Sequence, residues 1–298
     1  MKLLVTGASG FLGGPTCAEL VRRGHDVTAL VRRPGSEPEN VNAVAGELDD
    51  RDSLVRALSA HPPDCVVHLA AENGAQRSAR KVERVNVEGT KNLLHACRSD
   101  GEPRFVFTST VVTGNARGEL LTERSELPVQ TVYGRSKQEG ERLVRESGLD
   151  WAIVRPSHVY GPGGWYVSEF VKRLRSPGRF AVIGTGKNLW DVVHVDDVAT
   201  AISDAVERAP AGSLYHVVDD SPTTFYDFIA LTARELGVGS PRRIPAWLAR
   251  LGAGSDPVAA VVRSARSSNA HIKEELGWRP SYESCEQGVP VTVAQLRD

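Results

Sequence analysis

The chain has 298 residues, of which 41% are hydrophobic, and its 36 lysines and arginines against 37 acidic residues give a formal net charge of −1. A chain of this length can bury a large core, either as one sizeable domain or as a domain with an appended lobe. The near balance of charge argues against a protein drawn to nucleic acid or to an anionic membrane surface.

The first stretch, Lys2 to Gly13, predicts a strand, a tight turn and the start of a helix. Leu3 to Thr6 are apolar or β-branched, and Gly7, Gly10 and Gly13 follow. Glycines at this spacing permit a turn, a close approach to a pyrophosphate and tight packing of helix on strand. The unpaired N–H groups at the helix start would face the phosphates. With a second strand about one βαβ unit along, the stretch favours dinucleotide binding over a bare structural turn.

Strands and helices alternate through the first half of the chain, which predicts an α/β fold with a doubly wound parallel sheet of the Rossmann type. The further predicted strands are Val27 to Val31, Asn42 to Ala45, Cys65 to Ala70, Arg104 to Thr108 and Trp151 to Val154. The predicted helices are about Pro15 to Arg23, Asp52 to Ala60, Arg77 to Arg98 and Val132 to Glu146.

Glycine and proline become frequent after Arg155, which indicates irregular structure around a site. The sheet is expected to resume at Asp191 to Val195 and again at Leu214 to Val218, and Phe225 to Leu236 is the clearest later helix. This pattern predicts two domains. They are an NAD(P)-binding Rossmann domain, residues 1–155 and about 189–218, and a smaller C-terminal substrate-binding lobe, residues 156–188 and 219–298.

The end of the second strand bears on the choice of cofactor. An acidic residue there binds the ribose 2′-hydroxyl of NAD, whereas a basic residue accommodates the 2′-phosphate of NADP. This chain has Arg32 and Arg33 there, and no acid. NADP(H) is therefore favoured, and NAD(H) stays possible if the arginines form only a solvated strand end. Glu47 and Leu48, after the third strand, are expected to flank the adenine.

Tyr133 and Lys137 are the candidate acid-base pair. They lie four residues apart on a predicted helix and therefore share one face. A free phenol has a pKa near 10, so acid-base chemistry at neutral pH needs a lower value, which a neighbouring cation would supply. The pattern Tyr-x-x-x-Lys is common by chance. Here it follows the dinucleotide motif and the hydroxyls of Thr108 to Thr110.

These motifs together resemble the extended short-chain dehydrogenases/reductases, the branch that includes the NAD-dependent epimerases and dehydratases. The resemblance covers nearly the whole chain. The stretches that carry it are Thr6 to Gly13, His68 to Ala71, Asn86 to Thr90, Tyr133 to Lys137, Arg155 to Gly163 and Val193 to Ala199.

The resemblance implies a role for each matching residue. Tyr133 would exchange a proton with the substrate oxygen, and Lys137 would bind the nicotinamide ribose and lower the tyrosine pKa. A hydroxyl after the fifth strand, Thr110 or alternatively Ser109, would hydrogen-bond the same oxygen. Asn86 would be structural and could hold a water. The residues implied to contact the dinucleotide are Gly7, Ser9, Gly10, Phe11, Leu12, Gly13, Arg32, Arg33, Glu47, Leu48, Leu69, Ala70, Ala71, Asn86, Tyr133, Lys137, Pro156, His158 and Val159.

Two departures from the family pattern bear on the small-molecule substrate. Nucleotide-sugar members often have asparagine where this chain has His158 and arginine where it has Trp190. Losing both polar groups favours a reductase of a non-nucleotide ketone or alcohol over a nucleotide-sugar epimerase or dehydratase with a recycled NAD. Four cations could still bind a diphosphate or a coenzyme A ester, although a solvated face is the simpler interpretation: Lys172, Arg173, Arg175 and Arg179.

The remaining expectations concern the pocket and the partners. Glu72, Trp165, Tyr166 and Trp190 are candidate pocket walls, and the single aromatics suit a lobe core equally well. In many relatives two helices form the dimer interface, and they correspond here to the predicted helix Arg77 to Arg98 and to the predicted helix that carries Tyr133. A homodimer is therefore plausible, although the first helix carries four positive charges, on Arg77, Arg80, Lys81 and Arg84. A non-catalytic dinucleotide sensor is the third hypothesis, and it predicts loss of the Tyr133 and Lys137 pair, which is intact.

The four cysteines are far apart, and no pair has the spacing of a zinc site, so we expect reduced, packed thiols and no bound metal. The apolar run at the N-terminus stops after Val5, and no segment approaches transmembrane length. We therefore expect a cytoplasmic protein that binds neither nucleic acid nor a membrane.

Overall fold

A computed structural model describes residues 1–74, 76, 78–99, 101–176, 180–245, 247 and 262–297. Two residues named above, Arg77 and Arg179, lie outside this part of the chain. Parts of the predicted C-terminal lobe do so as well.

Seven parallel strands form the central sheet, in the order β12-β7-β5-β4-β1-β2-β3. The fifteen strands of the described residues are β1 (Lys2–Thr6), β2 (Asp26–Val31), β3 (Asn42–Ala45), β4 (Cys65–His68), β5 (Arg104–Thr108), β6 (Leu120–Leu121), β7 (Trp151–Pro156), β8 (His158–Tyr160), β9 (Ala181–Ile183), β10 (Leu189–Trp190), β11 (Val192–His194), β12 (Ser213–Val217), β13 (Thr223–Thr224), β14 (Arg242–Ile244) and β15 (Arg266–Ser267). The predicted doubly wound α/β fold is confirmed.

Helices cover both faces of the sheet. They are α1 (Gly13–Arg22), α2 (Arg51–Ala60), α3 (Ala79–Val82), α4 (Gly89–Ser99), α5 (Val132–Arg145), α6 (Lys172–Leu174), α7 (Val195–Arg208), α8 (Phe225–Glu235), α9 (Ala270–Leu276) and α10 (Cys285–Gln295). Two π-helical turns, Glu83–Glu88 and Tyr166–Val171, adjoin α4 and α6. No helix in the described ranges is both long and apolar enough to cross a membrane.

Side chains alternate between the two faces of each central strand. On one face, Val5 and its neighbours pack with α1 and α7, as shown by Leu20 and Ile202 in the same cluster. On the other, Leu4 and its neighbours pack with α2, α4 and α5. Burial on both faces explains why these strands are apolar throughout. From β1 the chain continues to β2 and β3 on one side of the sheet, and from β4 it continues to β5 and β7 on the other. A ligand site is expected outside the carboxyl ends of the strands where the order reverses in this way, between β1 and β4.

The prediction that the sheet resumes twice is correct for one segment and wrong for the other. Leu214 to Val218 corresponds to β12, which pairs with β7 at the sheet edge. Asp191 to Val195 contains β11, but β11 pairs with β8 in a separate two-stranded sheet. The reason is that β7 ends before Ser157. The chain then leaves the central sheet and continues as β8. The missed helix α7 then follows β11 at once and returns to the sheet face.

A third cluster of buried side chains lies outside the central sheet. Tyr160, Tyr166, Phe170 and Phe228 are its large members, and α8 and α10 pack together beside them. Helix α8 matches the predicted Phe225 to Leu236 within one residue. The division into a Rossmann domain and a lobe stays a prediction.

Candidate active site

The turn between β1 and α1 can be formed only with glycine at two of its positions. Gly7 has a φ of +74°, and a Cβ added to it would lie 2.7 Å from the backbone nitrogen of Ala70. A Cβ on Gly13 would lie 2.1 Å from the carbonyl oxygen of Gly7. The Gly10 amide donates to that same carbonyl at 2.9 Å. The backbones of the turn, the β4 end and the helix start therefore converge.

Backbone donors remain open at this turn. Leu12 caps α1 without a side-chain hydrogen bond, and within the described ranges the amides of Phe11 and Leu12 donate to no other group. A helix N-terminus with open amides is a binding position for a phosphate. Ser9 and Gly10 are exposed beside it. The turn therefore fits the pyrophosphate of a dinucleotide.

The ring of Phe11 accounts for the glycine cluster after β8. A Cβ on Gly164, which has a φ of +56°, would lie 2.6 Å from Cγ of Phe11, and Cβ atoms on Gly161 and Gly163 would lie within 3.3 Å of the same ring. The glycine turn and the later segment are thus packed against each other. The sequence predicted a site around this glycine-rich segment, but it did not indicate that the ring of Phe11 occupies the space beside the glycines.

Arg32 and Arg33 follow β2 and are exposed. Neither guanidinium has an ion-pair partner in the described part of the chain. An unpaired pair of guanidinium groups at a strand end fits a phosphate monoester. Glu47 is exposed, and the half-buried Leu48 packs toward Gly89 at the start of α4.

A buried histidine ties the ends of β1 and β4 to the helix that follows. Nδ1 of His68 lies 2.6 Å from Oγ1 of Thr6, and its Nε2 lies 2.9 Å from Oγ1 of Thr90. Burial lowers the pKa of His68 to about 3, and the charge of Lys137 lowers it further. His68 is therefore neutral and structural. It fixes the backbone that continues into Leu69, Ala70 and Ala71.

Asn86 lies in the π-helical turn that interrupts the predicted long helix, which begins at α3. Its amide pairs with both backbone groups of Glu72, since the Glu72 N–H donates to Oδ1 at 2.7 Å and Nδ2 donates to the Glu72 carbonyl at 3.0 Å. Nδ2 also donates to Oγ of Ser136 at 2.9 Å, and that hydroxyl donates to the carbonyl of Tyr133. Asn86 therefore joins the Glu72 loop to the helix that carries Tyr133.

Tyr133 lies in the first turn of α5. The Oγ1 of Thr131 accepts from the Gly134 amide at 2.9 Å and so caps the helix. The ring of Tyr133 faces Gly74. Burial raises the pKa of Tyr133 to about 12, and no cation among the described residues lowers it. The expected lowering of this pKa by Lys137 is not found, because burial is the cause of the shift and acts in the opposite direction.

Lys137 is one helical turn beyond Tyr133 and only 3% exposed. Its Nζ lies 4.3 Å from the centre of the Phe107 ring. Burial lowers the pKa of Lys137 to about 7, and the carboxylate of Glu141 works in the opposite direction. The charge of Lys137 is thus sensitive to its surroundings near neutral pH.

The two candidate hydroxyls after β5 have different partners. Oγ of Ser109 donates to Oε1 of the buried Glu141 at 2.6 Å. Oγ1 of Thr110 donates to the carbonyl of Pro156 at 3.1 Å and accepts from the Val112 amide. A hydrogen bond to a carboxylate contributes about 1.5–3 kcal/mol, against about 0.5–1.5 kcal/mol for a neutral pair. Thr110 can therefore turn toward a substrate at the lower cost.

Glu141 is a residue that the sequence analysis missed. Glu141 is 2% exposed, and its carboxylate receives two hydrogen bonds from Arg155, at 2.7 and 2.6 Å, besides those of Ser109, Gln138 and Arg145. The signal was present in the helical spacing, because Glu141 follows Lys137 by four residues. The pair joins α5 to β7 beneath the candidate site.

The predicted pocket walls separate into two groups. Tyr166 is fully buried, with its hydroxyl 3.0 Å from Oγ1 of Thr232, so the expectation that it walls a pocket is wrong: it belongs to the lobe core. Trp190 is 5% exposed, stacked on His158 at 3.8 Å between ring centres. Trp165 is half-buried near the same histidine. Glu72 forms an ion pair with Lys81 at 2.7 Å.

Residues 3–218 match the NAD dependent epimerase/dehydratase family. The 3-diazoavenalumate denitrifying reductase of Streptomyces sp is 32% identical over 97% of this chain and 99% of the relative. The 2-alkyl-3-oxoalkanoate reductase of Stenotrophomonas maltophilia is 32% identical over 81% of this chain and 77% of the relative. The crystal structure of a double mutant of DesIV, a dTDP-glucose 4,6-dehydratase from Streptomyces venezuelae with NAD and DAU bound, superimposes with a TM-score of 0.85 at 28% identity, covering 100% of this chain and 97% of that one.

Proposed function

Because the chain belongs to the NAD dependent epimerase/dehydratase family of extended short-chain dehydrogenases/reductases, we propose that it is an NADP(H)-dependent reductase of a ketone or a related small molecule. The observation that carries this proposal is the stack of Trp190 on His158, with the ring of Phe225 4.6 Å from that of Trp190 between centres. Nucleotide-sugar members of the family often have polar groups at these two positions. A neutral imidazole and an indole replace those groups here, which favours a substrate without a nucleotide diphosphate.

The residues of the site fit a bound dinucleotide. The open amides of Phe11 and Leu12 would hold the pyrophosphate, and Arg32 and Arg33 would hold a 2′-phosphate. When bound, the cofactor supplies a hydride at its nicotinamide ring. The protein supplies the position of the substrate and the movement of the proton.

Three side chains would perform the proton chemistry. Tyr133 would donate its phenolic proton to the substrate oxygen as that oxygen gains negative charge. Thr110 would hydrogen-bond the same oxygen, after releasing the carbonyl of Pro156. Lys137, as an ammonium, would bind the nicotinamide ribose and stabilise the tyrosinate that forms. Ser109 stays the alternative to Thr110, although its bond to Glu141 makes it the costlier donor.

The proposal has a direct test in cofactor preference. Arg32→Ser with Arg33→Ser should weaken NADPH binding by about 10–100-fold, the loss expected when charged hydrogen bonds to a phosphate are removed, and should change NADH binding by less than about threefold. Fluorescence titration of the reduced cofactors measures both constants. Arg56→Ser, which removes an exposed arginine on α2, is the matched control. Equal losses for NADPH and NADH would contradict an NADP-specific role.

The proposed role of Lys137 gives a pH prediction. Below its pKa of about 7 the side chain is charged, and above it the charge is lost. We expect kcat/KM for NADPH to fall as the pH rises from 6 to 9, well before Tyr133 with its pKa of about 12 can titrate. Lys137→Arg should shift the fall to higher pH, because arginine keeps its charge. A profile that is flat over this range in the wild type would contradict the assignment.

A second candidate function is a nucleotide-sugar dehydratase or epimerase that recycles a tightly bound NAD. The similarity to the DesIV structure with bound NAD supports it. Incubation with dTDP-glucose and UDP-glucose distinguishes this function, since it forms product with no net consumption of NADPH. A non-catalytic dinucleotide sensor ranks last, because Tyr133 and Lys137 are both present and adjacent on α5.

The names of the two reductase relatives point to the substrate class. Each contains a carboxylate, in 3-diazoavenalumate and in 2-alkyl-3-oxoalkanoate. We extend the proposal accordingly to a small substrate that bears a carboxylate on an otherwise apolar frame.

A further inference from the structure

Three buried side chains beside the Trp190 and His158 stack have polar atoms without partners. Arg263 is 6% exposed, Asp191 is 6% exposed and Trp190 is 5% exposed. In the described part of the chain Nη1 of Arg263 and Nε1 of Trp190 form no hydrogen bond, and Oδ2 of Asp191 has no partner at hydrogen-bond geometry, although Ser267 acts on that carboxyl. Buried polar groups normally have partners, and an unpaired buried donor on a charged group is especially costly. An unpaired set of this kind calls for an occupant.

The backbone holds Arg263 in place from both sides. Its carbonyl accepts from Nδ2 of Asn188 at 2.7 Å. The next residue, Ser264, accepts from the Leu189 amide through Oγ at 3.0 Å, and its own amide donates to Oδ1 of Asn115 at 2.9 Å. Arg263 is therefore anchored to the strand that leads into Trp190 and to the loop that follows the β5 hydroxyls.

The same contacts connect Arg263 to the catalytic helix. The Asn115 amide donates to Oε1 of Gln130 at 3.1 Å, and the Gln130 amide donates to the carbonyl of Thr113. Gln130 precedes Tyr133 by three residues. On the other side, the charge of Arg263 lowers the pKa of His158. The main chain next to Arg263 is thus linked to the segment that precedes α5, and the charge of Arg263 acts on His158.

We propose that Arg263, with the indole N–H of Trp190, binds the carboxylate of the substrate. A guanidinium presents parallel N–H donors that match the two oxygens of a carboxylate. No ion pair between Arg263 and Asp191 within 4.0 Å exists among the described residues, although the charge of Asp191 opposes the lowering of the Arg263 pKa by burial. This inference rests on the proposed reductase function and names the group of the substrate that this end of the site recognises.

His158 and Asp191 set the polarity of the site. Nδ1 of His158 lies 2.9 Å from the carbonyl of Asp191, so it must donate, and the ring is neutral. Burial raises the pKa of Asp191 to about 7, against the opposing effects of Ser267, Arg263 and Arg266. Well below that pH Asp191 is protonated and carries no charge to repel a carboxylate. Above it, a second negative charge disfavours the ligand, so binding should weaken as the pH rises through 7.

The test compares a carboxylate with its ester. Isothermal titration of the full-length protein, loaded with NADP⁺, measures binding of 3-oxodecanoate and of methyl 3-oxodecanoate. We expect the acid to bind at least tenfold more tightly than the ester. Arg263→Gln should abolish that preference by weakening the binding of the acid and not that of the ester. Arg263→Lys keeps the charge without the parallel N–H donors of a guanidinium, so it should recover part of the preference. Arg56→Gln, an exposed arginine on α2, controls for the loss of one positive charge.

The outcomes separate this inference from the proposed function. Equal affinity of the wild type for acid and ester, no binding of either, or an unchanged preference in Arg263→Gln would each overturn the assignment of Arg263. NADPH affinity, measured on the same samples, reports folding and the cofactor site independently. If NADPH binding and carbonyl reduction persist while the carboxylate preference is absent, the reductase function stands and the role of Arg263 does not.

Discussion

Tyr133→Phe should reduce kcat for carbonyl reduction by about 10²–10⁴-fold, the contribution typical of a positioned general acid. Phenylalanine retains the ring that packs over Gly74 and removes only the phenolic proton. The cap of α5 by Thr131 does not depend on the Tyr133 hydroxyl. NADPH affinity should therefore stay within about threefold. Steady-state NADPH oxidation with a carbonyl substrate, and fluorescence titration of NADPH, measure the two quantities.

Tyr226→Phe provides the control for Tyr133. That half-buried tyrosine lies under the guanidinium of Arg243 at 3.8 Å, in the lobe, and loss of its hydroxyl should leave kcat unchanged. If Tyr133→Phe also retained full activity, acid-base catalysis by α5 would be excluded. The hypothesis of a non-catalytic dinucleotide sensor would then be favoured.

Glu141→Gln should lower the free energy of unfolding by about 3–5 kcal/mol, the cost of leaving a buried charge without its partner. The charge left behind is that of Arg155, which is 5% exposed and is paired with Glu141 by two hydrogen bonds. Loss of the carboxylate should also release Ser109 and deepen the lowering of the Lys137 pKa. Urea unfolding followed by circular dichroism measures the stability change.

Glu139→Gln is the matched control on the same helix. Glu139 forms an exposed pair with Arg142 at 2.6 Å, one helical turn along. Such exposed pairs contribute about 0.3–0.5 kcal/mol, so its replacement should be nearly silent. A loss in Glu141→Gln as small as that in Glu139→Gln would show that the buried pair is not a major contributor to stability.

The central fold could be predicted because its signals are local. Short apolar runs and intervening helical segments predicted six of the seven central strands, and β12 was predicted as a later return to the sheet. The segment around β11 was assigned to the wrong sheet because the pairing of strands depends on residues far apart in the sequence. The chain leaves the central sheet at Ser157, and the apolar pattern of Val192–His194 is compatible with either sheet. Helix α7 was missed, although Val198, Ile202 and Ala205 recur at helical spacing on its buried face.

The site could be predicted to the extent that it follows from backbone geometry and helical spacing. Gly7 and Gly13 show close approaches that only glycine permits, and Tyr133 with Lys137 does share one helix. The pKa of Tyr133 could not be predicted from the sequence, because it is raised by burial, which depends on the whole fold. Contacts across the fold, such as Phe11 on Gly164 or Arg155 on Glu141, leave no trace in the sequence around either partner.

The central claim, an NADP(H)-dependent reductase that releases its cofactor each turnover, is tested most directly by the dinucleotide that the purified protein carries. The protein is dialysed extensively and denatured, and any released dinucleotide is identified by chromatography; the dialysed protein is then titrated with NADPH and NADH. The account predicts an empty protein that binds NADPH at least tenfold more tightly than NADH. Recovery of stoichiometric NAD(H) that survives dialysis would contradict it and would favour an epimerase or a dehydratase.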